Sequence, residues 1–99
     1  YIDLLKDVTE DDLYAVYQKY YGDEKFVRIR RGMCETRFVT GTNYCDISVR
    51  VDRRTNRAII TSCIDNMMKG AAGQALQNMN IICGLEESAG LDRLSIAAP

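Results

Sequence analysis

The alternation of apolar and polar positions divides the chain into a helix, a set of strands and a second helix. Leu13, Val16, Tyr17 and Tyr20 recur at helical spacing, which predicts a helix with one apolar stripe toward the core and Gln18 and Lys19 toward solvent. Thr9 is placed to cap it, with Asp12 three residues on completing a capping box, acidic Glu10, Asp11 and Asp12 suiting the positive end of the dipole, and Gly22 closing the element. From residue 26 the period shortens, and strands are expected over residues 26–31 and 37–40, with Gly32 in the loop between them.

The next two runs read more clearly. Cys45, Ile47, Val49 and Val51 alternate with Asp46, Ser48, Arg50 and Asp52, so a strand with one buried and one wet face is expected over Cys45–Asp52. Turn-rich residues 52–56 lead into a mostly apolar partner, Arg57–Ile64, read as more central and more deeply covered than the first. Asp65 can cap a second helix running from about Met67 to Cys83 and closed by Gly84, and residues 85–99 show no period and are expected to form an irregular tail. Residues 1–8 are read only as a lead-in.

A chain of 99 residues accommodates one domain rather than two, so residues 1–99 are read as a single α+β domain. A net charge of −1 with a pI near 5.3 gives no overall attraction for phosphate backbones, and nucleic acid is not an expected partner. The apolar runs are far shorter than the roughly 20 residues of a membrane span, and no membrane partner is expected. Cys34, Cys45, Cys63 and Cys83 are widely spaced and the chain has no histidine, so no metal site is expected and the cysteines are read as reduced thiols of a cytoplasmic protein. Tyr1 in place of an initiator Met, with no signal-like segment, leads to the expectation that the chain begins mid-protein.

Candidate chemistry concentrates at the start of the second helix, after Asp65-Asn66-Met67-Met68-Lys69, where Gly70, Ala71, Ala72, Gly73 and Ala75 cluster and leave the first turns nearly bare of side chains. A glycine inside a helix costs about 1 kcal/mol relative to alanine, so Gly70 and Gly73 imply close approach either of a ligand to the helix terminus or of another packed element. The arginine clusters, Arg28, Arg30 and Arg31 with Arg53, Arg54 and Arg57, are read as a solvated face. Tyr14, Tyr17, Tyr20 and Tyr21 are read as core or subunit contacts, Asn43 as a turn former after Gly41, and Asp65 as a helix cap only.

The segment from Asp65 to Ala75 resembles the Asp-Asn-Leu-x-Lys-Gly-Ala-Ala-Gly-Gln-Ala stretch near the end of N-acetyl-gamma-glutamyl-phosphate reductases. Phe26-Val27-Arg28, the run from Val39 to Asp46 and the run from Gly84 to Leu91 are similar to other elements of that family, in the same order. The resemblance implies a mostly antiparallel sheet with flanking helices, like the C-terminal catalytic and dimerisation domain of the glyceraldehyde-3-phosphate-dehydrogenase-like group. It implies NADP-dependent reduction of N-acetyl-glutamyl 5-phosphate to the semialdehyde, in arginine biosynthesis, by a homo-oligomer, a dimer or tetramer. The family's nucleophile sits in a Ser-Asn-Pro-Gly-Cys segment and is assisted by a histidine. Neither occurs here, nor does the Gly-x-Gly-x-x-Gly turn, so no catalytic residue is expected in this chain, which should be inactive alone and partner an N-terminal dinucleotide-binding portion. By the same resemblance Asn66 would hold the nicotinamide carboxamide, Lys69 would lie near cofactor phosphates or substrate, and Gly70 would leave room for close approach. The rival expectation is an autonomous α+β interaction module without catalysis.

Overall fold

The first helix, α1 (Glu10–Tyr21), begins where the capping signal places it. Thr9 Oγ1 accepts from Asp12 N–H and Asp12 Oδ2 accepts from Thr9 N–H, both at 3.1 Å, so two of the orphan donors at the helix start are satisfied reciprocally. The apolar stripe does not behave as expected, because no residue of α1 is buried and Val16 and Tyr20 are 50% and 70% exposed. Its contact with the neighbouring strand includes a polar clasp instead: Arg31 stacks over the Tyr14 ring, 3.8 Å from its centroid, and pairs with Asp11.

The computed structural model describes residues 1–93, which gather into two units, one of residues 1–34 and 46–62 and the other made of residues 35–45 and those from 63 on. Residues 94–99 of the expected tail lie outside the described residues. Four strands, β1 (Ile2–Asp3), β2 (Val27–Arg30), β3 (Cys45–Asp52) and β4 (Arg57–Ile64), form one sheet in the order β1-β4-β3-β2. The β3–β4 hairpin has the boundaries its alternation predicts, with Asn56 at φ 53° in the turn and Asp52 Oδ1 accepting from Arg54 N–H at 3.1 Å. Strand β1 falls in the stretch read as a lead-in. It pairs antiparallel with β4, Ile2 opposite Ala58 and Asp3 opposite Arg57, and Arg57 Nε donates to Asp3 Oδ1 at 2.8 Å. The architecture is α+β with a largely antiparallel sheet, as the sequence resemblance implies.

Three strand expectations are corrected. Residues 37–40 are not a strand: a 3-10 turn spans Thr36–Phe38, closed by Phe38 N–H to Glu35 O and Val39 N–H to Thr36 O, and Thr40 donates its hydroxyl to Thr36 O at 3.0 Å. These short-range bonds satisfy the backbone that a ladder would have used. In β3 the polar face is not wet, since Asp46 and Ser48 are buried while Cys45 and Ile47 are half-buried. The cause is β2, from which Arg28 grips Asp46 through Nε to Oδ1 at 2.6 Å and Nη2 to Oδ2 at 3.1 Å, with Arg30 Nη1 at 3.4 Å from Oδ2. Arg28 and Arg30 thus neutralise a buried carboxylate and are not part of a solvated face. Nor is β4 more deeply covered than β3: both are interior strands, and Ile64 is exposed.

Each unit encloses a few apolar side chains, Phe26, Cys34, Val49 and Ala58 in the first and Val39, Cys63 and Leu91 in the second. In the second unit they share the interior with Thr42, Asn43, Gln77, Asn80 and Ser88. Among the described residues no helix is long and apolar enough to cross a membrane.

Candidate functional site

The second unit is organised around a single carboxylate. Asp65 Oδ1 accepts from the N–H groups of Met67 and Met68 at 2.8 and 3.1 Å, and Oδ2 accepts from Gly41 N–H at 2.7 Å. Asp65 is therefore a helix cap, as expected, and also the tie that holds the loop at Gly41, where φ of +76° favours glycine. These three backbone donors, Gly41 foremost, hold its carboxyl below the usual value of 3.8.

The helix that follows does not start as an α-helix. Its first turn is π-helical, Met68–Ala72, with Gly70 N–H to Asp65 O, Ala72 N–H to Met67 O and Gly73 N–H to Met68 O, each spanning five residues, and α2 (Gly73–Ile82) continues from it. Small side chains at 70–73 leave this widened turn bare, and such turns recur at functional positions. Gly84, at φ +71°, follows the helix end.

The buried face of α2 is polar. It consists of Gly73, Gln77 and Asn80, whereas Met79, Ile81 and Ile82 are exposed. Asn43 Nδ2 donates to Gln77 Oε1 at 2.9 Å, Lys69 Nζ donates to the same oxygen at 2.7 Å, and Gln77 Nε2 donates to Glu87 Oε2 at 2.6 Å. Asn80 Nδ2 donates to Glu87 O and Ala89 O, both at 3.0 Å. Asn43 is wholly buried, and its Oδ1 has no hydrogen-bond partner among the described residues. That oxygen lies where a Cβ on Gly73 would be, so Gly73 is the clearance that admits the Asn43 amide.

The three expected site residues, Asn66, Lys69 and Gly70, fall within five positions of this helix start but differ in situation. Asn66 is exposed, its amide has no intrachain hydrogen bond among the described residues, and its Oδ1 would lie 3.3 Å from a Cβ placed on Gly70. Gly70 is exposed and adjoins that amide, whereas Lys69 is half-buried and engaged with Gln77. Desolvation pushes the Lys69 ammonium below its ordinary pKa, and Cys45 and then Glu87 act against that shift. Sequence reasoning missed Asn43, Gln77 and Glu87. The available signal was the spacing of Gly73, Gln77 and Asn80, which places small and polar residues on one helical face.

A family model described as the semialdehyde dehydrogenase, dimerisation domain, matches residues 1–66, two thirds of the chain. The chain belongs to that family. Curated relatives named N-acetyl-gamma-glutamyl-phosphate reductase include proteins from Pelobacter propionicus, 52% identical over 94 residues, and Alkaliphilus metalliredigens, 49% identical over 94 residues, each match covering 93% of this chain and 27% of the relative. A third, from Geobacter sulfurreducens, is 50% identical over 95 residues, covering 94% of this chain and 28% of the relative. The chain thus spans about 27% of the length of the curated relatives it matches. The likeness to the reductases extends past the family model into the π-turn and α2.

Proposed function

We propose that this chain is the C-terminal part of an N-acetyl-gamma-glutamyl-phosphate reductase, a cytoplasmic homo-oligomer of arginine biosynthesis. It reduces N-acetyl-glutamyl 5-phosphate to N-acetyl-glutamate semialdehyde, and NADPH supplies the hydride. The observation that carries the reading is identity of about one half over nine-tenths of the chain to proteins of that name. An autonomous interaction module has no comparable support.

In this reading residues 1–99 form one domain, in association with an N-terminal dinucleotide-binding portion that also supplies the nucleophile and its proton donor. The helix start of this chain suits a nicotinamide carboxamide. Asn66 presents an amide without a hydrogen-bond partner among the described residues, able both to donate and to accept, and Gly70 beside it keeps the approach clear. Asn66 would hold the carboxamide, Gly70 would admit it, and Lys69 would offer its ammonium to an anionic group of cofactor or substrate. The exposed apolar side chains Val16 and Tyr20 on α1 and Met79, Ile81 and Ile82 on α2 agree with burial against further protein in the complete oligomer.

The test is a steady-state assay of the full-length protein with N-acetyl-glutamyl 5-phosphate and NADPH, run in parallel with NADH. Oxidation of NADPH dependent on the acyl phosphate is expected, and the purified 99-residue chain alone should give none. A full-length protein inert toward the acyl phosphate with either cofactor overturns the proposal.

A further inference from the structure

The buried amides of the second unit form a chain with a direction. An ammonium offers only donors and a carboxylate only acceptors, so Lys69 and Glu87 are fixed ends. Gln77 lies between them, its Oε1 accepting from Lys69 Nζ at 2.7 Å and its Nε2 donating to Glu87 Oε2 at 2.6 Å. Turning this amide over would set NH2 against ammonium and carbonyl against carboxylate, so its polarity is determined by the two charges. Asn43 Nδ2 then has to donate to the same Oε1, as it does at 2.9 Å. The Glu87 end is anchored a second time, because Asn80, itself buried, donates to Glu87 O at 3.0 Å.

Packing α2 does not require this arrangement. An apolar side chain at position 77 would fill the same space without the cost of desolvating an amide. The relay ends on the ammonium that immediately precedes Gly70 and lies three residues beyond Asn66. Burial favours loss of the Lys69 proton, and Cys45 and then Glu87, whose carboxylate is held behind the Gln77 amide, oppose that loss.

We infer that Glu87 and Gln77 are positioning residues that keep the Lys69 ammonium charged and aimed for a phosphate group of the ligand. This inference rests on the reading of the helix start as the ligand-facing end of the chain. The phosphate belongs either to the nicotinamide cofactor or to the acyl phosphate substrate, and the two sources are separated by which Michaelis constant responds.

The test uses the full-length protein and the variants Glu87→Gln, Glu87→Asp and Lys69→Met. The Lys69 13Cε resonance, assigned by its loss in Lys69→Met, is titrated by NMR without any ligand. Removing the negative charge at 87 should lower the Lys69 titration midpoint by about 0.5 unit or more, and the alkaline limb of kcat/KM should move down with it. KM for one phosphate-bearing ligand should rise on the order of tenfold, with a smaller change in kcat. Glu87→Asp, which keeps the charge, should recover much of the titration shift. If Glu87→Gln is not obtained folded, Gln77→Met breaks the relay at constant volume and should raise the same KM. An unchanged Lys69 titration with unchanged KM values in Glu87→Gln, even with a lowered Tm, overturns the inference and leaves the ligand-facing reading of Asn66 in place. Kinetics like the parent's in Lys69→Met remove Lys69 from the ligand site, and the inference falls with it.

Discussion

Asp46 is held from two successive outward positions of one strand, Arg28 gripping it with two hydrogen bonds of 2.6 and 3.1 Å and Arg30 reaching it at 3.4 Å. The carboxylate side chain is fully buried while the two arginine side chains are about a quarter exposed, 26% and 24%. Removing the acid therefore takes a shared counter-charge from both arginines, whereas removing one arginine leaves the other on it. Asp46→Ala should destabilise the protein by about 2–4 kcal/mol and Arg30→Ala by clearly less, both read as shifts of the urea midpoint. Equal effects would show that the pairing is not shared as the geometry indicates.

Gly70 and Gly73 should respond differently to the same change. A methyl group at Gly73 would overlap the buried Asn43 Oδ1 and the Met68 backbone, neither of which can yield, so Gly73→Ala should cost about 1–3 kcal/mol. At Gly70 the nearest atom is Oδ1 of exposed Asn66, 3.3 Å away, and that side chain can swing aside. Gly70→Ala should leave the melting temperature unchanged or raise it, by up to about 1 kcal/mol of helix propensity, while raising KM for the cofactor. A fall in melting temperature at Gly70→Ala as large as that at Gly73→Ala would contradict the contrast.

Asn66→Ala in the complete enzyme tests the carboxamide assignment. Loss of one or two neutral hydrogen bonds, about 0.5–1.5 kcal/mol each, should raise cofactor KM and lower kcat with little change in folding, because Asp65 and not Asn66 accepts from the helix N–H groups. A destabilised variant with parental kcat and cofactor KM would take Asn66 out of the site.

Asp65 should leave a mark on acid stability. Its folded carboxyl titrates below the ordinary value of 3.8, so its contribution is complete above that pH and is lost as pH falls through the lower folded value. Asp65→Asn keeps the shape but weakens acceptance from Gly41, Met67 and Met68. The variant should melt lower than the parent near neutrality, with the difference narrowing as pH drops through this window. A constant gap down the acid limb would show that the charge contributes nothing.

Legibility in the sequence followed the range of the interactions. The Thr9 and Asp12 capping box and the hairpin of Cys45–Asp52 with Arg57–Ile64 depend on neighbours a few residues away, and both appear where the pattern put them. The buried face of β3 was misread because Asp46 is compensated from β2, 18 residues earlier, and two residues of β1 are too few to show a period. At the helix start, the Asp65 cap and the small residues Gly70 and Gly73 were legible in the pattern, whereas Asn66 and Lys69 were singled out by resemblance alone. Asn43 looked like a turn former because its partner Gln77 lies 34 residues further on, and no local spacing announces such a pair.

The polar buried face of α2 bears on how firmly its rotation is set. Oily stripes slide: a helix seated on leucines can roll by some degrees and still exclude water. Gln77 meets Lys69, Asn43 and Glu87 through hydrogen bonds that depend on both distance and angle, so a roll that an apolar seam would absorb weakens several of them together. The polar lining works as a key cut for one angle, and it keeps the azimuth of the bare π-turn from drifting.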